Sequence, residues 1–216
     1  MSARDGLFSD EAGVRRCAWC QSSPAYGVYH DREWGFPVED ETRLFEKLCL
    51  EGVQAGLSWL TILNKREAFR RAFAGFDAAR VARFGARDVE RLLGDAGIVR
   101  HRGKIESAIN NARRLLELRA ECGSLAAWAW RFEPAPSSRP KRVTPAALRA
   151  RGLPAEATAL AKELKLRGWT FVGPTTVYAF MQAVGLVNDH LHDCDTRKAV
   201  LEARSRFVLP AKPTSL

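Results

Sequence analysis

The sequence contains no apolar run that is typical of a membrane span. The 21 residues from Gly168 to Asn188 carry no charge, which approaches the length of about 20 apolar residues that a transmembrane helix needs. Gly173, Pro174 and Gln182 interrupt this stretch. We therefore interpret it as a buried helix preceded by a turn, and we expect no contact with a membrane.

The N-terminal sequence also lacks the apolar segment of a secretory signal, because Arg4, Asp5 and Asp10 interrupt it. We expect residues 1–16 to be a flexible leader and the protein to be cytoplasmic. Residues 195–216 are expected to be a C-terminal tail. One main domain over residues 17–194 then remains, and its 46% hydrophobic content is that of a globular protein with a substantial core.

Alternating apolar and polar residues, the pattern of a half-buried strand, are missing as well. Apolar residues instead recur at helical spacing, as in Leu44, Phe45 and Leu48, or in Ile105 and Ile109. The sequence therefore predicts an all-α protein without strands. The segment from Glu133 to Arg142, rich in proline, serine and basic residues, is expected to be flexible and to divide the chain into two helical lobes.

Cysteine and histidine are scarce, with five and four copies. An odd number of cysteines in a cytoplasmic protein argues against a disulfide framework and favours free thiols or metal ligands. Cys17 and His30 lie near the start of the chain, and His190 and Cys194 lie near its end. In a helix the last two would project from one face, and zinc favours four thiolate or imidazole ligands.

These four residues predict a structural metal site that joins the N-terminal arm to the C-terminal region. Four protein ligands leave no open coordination position for hydrolysis. Cys20 and His192 are nearby alternative ligands. Ordinary buried thiols and hydrogen-bonded histidines are the other interpretation.

The charge is basic, with 34 lysines and arginines against 25 acids and a net charge of +9. Five bases and no acid occur between Pro134 and Ala155. A polyphosphate partner such as DNA or RNA fits this run, because phosphate contacts supply most of the sequence-independent affinity. A solvated surface is the alternative.

Residues 167–185 predict two helices joined by a short turn. Gly168 follows one helix, Gly173 belongs to a tight apolar turn, and Thr175 opens the second helix. Such an arrangement presents backbone N–H groups at a helix start to a phosphate. A plain helical hairpin without a ligand is the commoner interpretation.

Aromatic residues are concentrated between Trp19 and Trp59, where Tyr26, Tyr29 and Trp34 also lie. In the same region Glu51 ends an apolar helix, and its burial would be costly without a polar or cationic partner. Either the aromatic side chains are core, or they form a stacking pocket for a flat cationic ring whose edge Glu51 binds.

Several motifs together resemble the 3-methyladenine DNA glycosylase I family of base-excision repair. The resemblance lies in CAWC and YGVYHDREWG, in LFEKLCLEGVQAGLSWLTILNKRE, in DAGIVRHRGKI, and in FVGPTTVYAFMQAVGLVNDH followed by cysteine. It covers about residues 16–194. It implies a helix-hairpin-helix glycosylase fold, hydrolysis of the N-glycosidic bond of 3-methyladenine in alkylated double-stranded DNA, release of the free base, and a structural zinc.

The resemblance also assigns residues. It implies Glu51 as the catalytic carboxylate. It implies zinc ligands at Cys17, His30, His190 and Cys194, and base contacts at Trp19, Tyr26, Tyr29, Trp34 and Trp59.

For the DNA, we predict that Leu57 enters the gap left by a flipped nucleotide, and that the turn at Gly173 and Thr175 holds the backbone. We expect a monomer. Asp189 lies where relatives of this fold often carry an aspartate, and its role stays open. A zinc-containing DNA-binding module without catalysis and a metallohydrolase are the alternatives.

Overall fold

The computed structural model describes residues 6–210, and most of these residues are helical, as the sequence predicts. The α-helices in this range are α1 (Pro24–Arg32), α2 (Glu41–Gln54), α3 (Trp59–Ala72), α4 (Ala78–Val81), α5 (Ala86–Gly94), α6 (Arg102–Cys122), α7 (Leu125–Ala129), α8 (Pro145–Arg151), α9 (Ala155–Leu166), α10 (Pro174–Ala183) and α11 (Asp195–Arg206). No helix of the described range has the length and apolar character needed to cross a membrane.

The prediction that the chain contains no strand is wrong at one place. Strands β1 (Leu7–Ser9) and β2 (Arg15–Cys17) pair antiparallel, with Leu7 opposite Cys17. The Asp10 carboxylate accepts hydrogen bonds from two backbone N–H groups of the connecting turn. Strands of three residues are too short to produce an alternating pattern, which is why the sequence did not reveal them.

The hairpin and α11 occupy most of the ranges that we expected to be a leader and a tail. The Arg15 backbone N–H donates to the Asp195 carboxylate at 2.7 Å, which joins β2 to the start of α11. Residues 1–5 and 211–216 of those ranges lie outside the described residues. The division of the chain at residues 16 and 194 stays a prediction.

Helix α2 is the central element of the core. Its N-cap is Asp40, whose carboxylate accepts a hydrogen bond from the Arg43 N–H at 2.8 Å. Every residue from Leu44 to Val53 is buried, because α3, α6 and α10 pack around the helix. Burial of each large apolar side chain stabilises the fold by roughly 1.5–3 kcal/mol. Helix α2 is therefore a rigid support for Glu51, which lies near its C-terminal end.

The turn between α9 and α10 packs against this central helix. Gly168 and Phe171 have positive φ values of 76° and 55°, and Gly168 follows α9 as predicted. A Cβ at Gly52 of α2 would lie 3.2 Å from both the Cβ and the carbonyl oxygen of Phe171. A larger residue at position 52 would therefore require the turn to move away from α2 by a few tenths of an ångström.

The segment from residue 133 to 142 contains a 3-10 helix at Pro136–Ser138. Arg139 donates hydrogen bonds to the carbonyl oxygens of Pro134 and Leu186. It also pairs with Glu133 at 2.9 Å. One of the five bases in the predicted nucleic-acid segment thus has its partners within the protein.

Candidate active site

A cavity of about 520 Å³ opens between the N-terminal region and the ends of α2 and α10. It is lined by Gly6, Cys17, Ala18, Trp19, Tyr26, Tyr29, Trp34, Glu51, Gln54, Trp59, Pro145, Leu148, Ala179, Gln182, Asp189 and Leu191. The structure therefore brings the five predicted aromatic residues and Glu51 together around one space. A site of this size accommodates a small organic ligand.

Aromatic rings form one end of the cavity. The ring centroids of Tyr29 and Trp59 are 5.4 Å apart, and those of Trp19 and Tyr26 are also 5.4 Å apart. Trp19 is 38% exposed and lies edge-on to Trp34 at 5.1 Å. Ring centroids about 4.5–7 Å apart are typical of aromatic side chains that pack against one another. The rings thus support one another and present faces and edges to a flat ligand.

The Tyr26 hydroxyl and the Trp59 Nε1 are two polar atoms among these aromatic side chains, and only the first has a hydrogen-bond partner in the described residues. The Tyr26 hydroxyl accepts a hydrogen bond from the Leu60 backbone N–H at 2.9 Å, which fixes α1 against the start of α3. The Trp59 Nε1 is buried and has no hydrogen-bond partner among residues 6–210. A buried donor without a partner costs free energy, which a ligand acceptor would recover.

Glu51 lies on the last buried turns of α2, with 5% of its surface exposed. Burial raises the pKa of its carboxyl to about 8, and the nearby charge of Lys47 acts in the opposite direction. Among the described residues, no group donates a hydrogen bond to this carboxylate. The acid is therefore buried beside the cavity with its oxygens available.

The loop between α2 and α3 carries Leu57. Gly56 has a φ of 80°, and Leu57 is 40% exposed. Lys104 of α6 holds the loop by a hydrogen bond from its Nζ to the carbonyl oxygen of Ala55 at 2.5 Å. The predicted wedge thus lies on an anchored loop directly before Trp59, outside the cavity lining.

The cavity lining also includes Asp189, which belongs to a polar network that the sequence did not predict. The buried Asp189 accepts hydrogen bonds from Arg151 at 3.1 Å, from Gln182 at 2.9 Å and from the Tyr178 hydroxyl. Arg151 belongs to the basic run that we assigned to a polyphosphate. The only signal for the network was Asp189 itself, and its carboxylate is already occupied.

The predicted metal ligands Cys17, His30, His190 and Cys194 are buried, and their ligand atoms lie within 4.8 Å of one another. The His30 Nε2 is 3.1 Å from the His190 Nδ1. The Cys194 Sγ lies 3.5 Å and 3.6 Å from these two nitrogens. This group, within the described residues, contains neither Cys20 nor His192.

The outer nitrogens of both histidines have fixed partners. The His30 Nδ1 is 2.8 Å from the Asp31 carboxylate, and the His190 Nε2 is 2.8 Å from the carbonyl oxygen of Trp34. If each outer nitrogen donates, the inner one is left with a free lone pair, which is the usual arrangement around a metal. Residues 190–194 form a turn rather than a helix, and this turn brings His190 and Cys194 together.

The residues predicted to bind DNA lie apart from the cavity. Gly173 is half-buried, and Thr175 is exposed in the first turn of α10. Gly173 has a φ of −65°, and a Cβ placed there would meet nothing within 4 Å. Neither the backbone conformation nor a neighbouring atom requires glycine at this position.

The fold and the cavity together define a class: a mostly helical protein with a cavity lined by aromatic side chains and a buried carboxylate, which suits a flat heteroaromatic ring. A model of the methyladenine glycosylase family matches residues 19–198. The chain belongs to this family.

Two curated relatives carry related names. The chain is 47% identical to DNA-3-methyladenine glycosylase 1 of Escherichia coli over 184 residues, which span 84% of this chain and 96% of that protein. It is 43% identical to the DNA-3-methyladenine glycosylase of Haemophilus influenzae, over 83% of this chain and 96% of that protein.

A solved structure of 3-methyladenine DNA glycosylase I is 48% identical, with a TM-score of 0.76 over 83% of this chain and 98% of that one. A structure of the Staphylococcus aureus enzyme, solved for the basis of 3-methyladenine recognition, is 37% identical, with a TM-score of 0.74 over 84% and 96% of the two chains.

Proposed function

We propose that this protein is a monofunctional DNA-3-methyladenine glycosylase of base-excision repair, which hydrolyses the N-glycosidic bond of 3-methyladenine in alkylated DNA. The observation that carries this proposal is Glu51, buried at the wall of an aromatic cavity with no hydrogen-bond donor among the described residues. The family membership and the names of the relatives support the same conclusion.

The cavity fits a methylated purine better than an undamaged one. Methylation at N3 gives the adenine of DNA a positive charge, and aromatic faces and a carboxylate both attract a cationic ring. Trp59, Tyr29 and Trp19 surround the ring, and Glu51 accepts hydrogen bonds from its edge. Trp34 and Tyr26 complete the wall.

The reaction requires the base to leave the duplex, which costs a few kcal/mol and is easiest for a damaged base. The bond between C1′ of the sugar and the base nitrogen breaks, and its electron pair neutralises the departing 3-methyladenine. Water adds to C1′ of the cationic sugar and loses a proton, which leaves an abasic site. Glu51, directly or through a water that it orients, stabilises the positive charge on the sugar.

The turn between α9 and α10 is a helix-hairpin-helix element that holds the DNA backbone. The absence of any protein atom near the Cβ position of Gly173 supports this role, since a phosphate can approach the bare backbone there. Thr175 lies exposed in the first turn of α10 and contributes a hydroxyl. Leu57, exposed on its anchored loop, fills the gap left by the flipped nucleotide.

The Cys17, His30, His190 and Cys194 cluster fits a structural zinc. Zinc bonds of about 2.0–2.3 Å place tetrahedral ligand atoms roughly 3.3–3.8 Å apart, close to the nitrogen and sulfur separations in the cluster. Bound zinc supplies a cross-link between the N-terminal region and the segment before α11, and no step of the reaction uses it. Its ligands leave no position for substrate.

We further propose that the protein acts as a monomer in the cytoplasm. Its partners are alkylated double-stranded DNA as substrate and free 3-methyladenine as product. The net charge of +9 favours association with the phosphate backbone.

The test is an assay of the bases released from methylated DNA. We expect wild type to release 3-methyladenine, and Glu51→Gln to reduce the rate by at least about 100-fold, as removal of a group that stabilises transition-state charge does elsewhere. DNA binding and the helical circular dichroism should be retained. Glu46→Gln is the matched control, because Glu46 is a buried acid of α2 that pairs with Arg70 at 2.8 Å.

If wild type binds DNA but releases no base, the protein is a binding module and the proposed function is wrong. Undiminished release by Glu51→Gln would remove this residue from the mechanism while leaving the activity in place.

A further inference from the structure

Lys47 is a buried lysine one helical turn before Glu51 on α2. Only 5% of its surface is exposed, although lysine is among the residues least often buried. Residues four apart on a helix lie on the same face. Lys47 therefore places a positive charge on the face of α2 that carries the Glu51 carboxylate.

The partner of the Lys47 ammonium among the described residues is Glu33, with which it forms a long ion pair. Among residues 6–210 it makes no hydrogen bond, and its nearest acid is Glu33, with 3.7 Å between Nζ and Oε2. Glu33 already accepts two hydrogen bonds from Arg66, at 2.7 Å and 2.9 Å. It also pairs with Arg43 at 3.3 Å. The charge of Glu33 is thus neutralised without Lys47.

An aromatic ring lies beside this ammonium. The Lys47 Nζ is 5.2 Å from the ring centroid of Tyr29, within the range of a cation–π contact. Tyr29 lines the cavity, as Glu51 does. The lysine is therefore next to the base site without being part of its lining.

We propose that Lys47 is a positioning residue that favours the ionised form of Glu51 in the cavity while leaving both carboxylate oxygens free for the cationic base. This inference rests on the proposed function. A lysine in direct contact would occupy the oxygens, whereas one that acts through space stabilises the negative charge without using a lone pair.

The titration behaviour of the two groups agrees with this role. Burial raises the pKa of Glu51 to about 8, and Lys47 is the neighbouring charge that lowers it. Burial lowers the pKa of Lys47 to about 8, so the ammonium is charged below that pH. Loss of Lys47 would remove the charge that opposes the desolvation of Glu51, so the pKa of Glu51 would rise further and its ionisation would require a higher pH.

Other charged groups near the pair are neutralised among themselves. Arg151 and Asp189 pair with each other. Glu33 pairs with Arg66 and Arg43. The titratable or charged side chains that face the pair are Tyr26 and Tyr29 of α1, Glu33 after α1, Arg43 of α2 and Arg66 of α3. Of the charged side chains, Lys47 alone lowers the pKa of Glu51.

The experiment compares the pH profiles of 3-methyladenine release from methylated DNA under kcat/KM conditions, between pH 6 and about pH 9.5. In Lys47→Met we expect the acidic limb to move to higher pH by at least about one unit, which is a tenfold lower rate at a fixed pH on that limb. At the highest pH the rate should return to within about twofold of wild type. Lys47→Arg should keep the wild-type profile.

Arg43→Met is the matched control, because it removes a charge from the same Glu33 group without affecting Glu51, and its limb should not move. Lys47→Gln removes the charge with a polar side chain, so the test does not depend on one variant folding. An unshifted limb in both neutral variants, or a rate reduced equally at every pH, would overturn the inference. If wild type itself releases no base, the proposed function fails first.

Discussion

The Cys/His cluster and the Glu51 cavity are neighbours that share Cys17 in their walls, but their polar atoms are arranged differently. In the cluster, both outer histidine nitrogens have partners in Asp31 and the Trp34 carbonyl, and the inner ligand atoms face one another. In the cavity, the Trp59 Nε1 has no hydrogen-bond partner in the described part of the chain, and the Glu51 carboxylate lines the space without a hydrogen bond from those residues.

This difference fits the proposal that an ion completes the cluster and that an organic molecule completes the cavity. Four inward-facing lone pairs suit a single small cation. An unpartnered carboxylate and an unpartnered indole N–H, separated by aromatic faces, suit a ring that carries both donors and acceptors. Burying such groups costs roughly 1–3 kcal/mol each, a cost that the ligand offsets on binding.

The strongest test of the comparison is to replace one thiolate ligand of the cluster by a hydroxyl. Cys194→Ser should lower the zinc content well below one ion per chain and destabilise the fold by more than about 3 kcal/mol, since loss of a metal is among the largest single-residue effects. Metal analysis and thermal unfolding measure the two losses. Cys20→Ser should retain the metal, and full zinc content in Cys194→Ser would contradict the assignment.

A second test uses the pH dependence of stability. The pKa of Glu51 is raised from 4.5 to about 8 in the folded protein, so folding takes up a proton between these values. The stability that Glu51 contributes is therefore highest at low pH and falls as pH rises through this window, by up to about 1.4 kcal/mol per pH unit.

The glutamine of Glu51→Gln does not titrate, so the variant escapes this loss of stability. Its free energy of unfolding should therefore rise relative to that of wild type from pH 5 to pH 8. Both proteins contain Lys47, whose own titration is present in each. Chemical denaturation at several pH values measures the difference. A constant difference would mean that Glu51 is not desolvated, and the contrast between the two sites would be lost.

The smallest effect is expected at the aromatic wall. Trp59→Ala should weaken the binding of free 3-methyladenine by roughly 1–3 kcal/mol, the range for loss of one stacking partner. Quenching of the remaining tryptophan fluorescence measures this affinity. Trp59→Phe keeps a stacking face and removes only the Nε1 donor, so it should lose less. Equal affinity for all three proteins would show that Trp59 is core rather than pocket.

The sequence predicted the helical class and gathered the right residues at both sites, because helical periodicity and the spacing of scarce cysteines and histidines are local signals. It did not predict how His190 and Cys194 meet. A turn gives the same juxtaposition that a helix would, and spacing alone does not distinguish the two.

The basic run was harder to interpret, because a charge in the sequence does not reveal its partner. Arg139 binds Glu133 and backbone carbonyls, and Arg151 binds Asp189. Arg142 pairs with Asp193 at 2.6 Å. These partners lie as many as 51 residues away in the sequence. Only the folded chain therefore shows that several bases of the predicted nucleic-acid segment form ion pairs within the protein.

The contact between Gly52 and Phe171 has a consequence for how damage is sensed. The turn proposed to hold the DNA backbone packs directly on the residue that follows Glu51, and a methyl group there would displace Phe171 by a few tenths of an ångström. A larger residue at position 52 would therefore shift the proposed DNA-binding turn relative to the helix that carries Glu51.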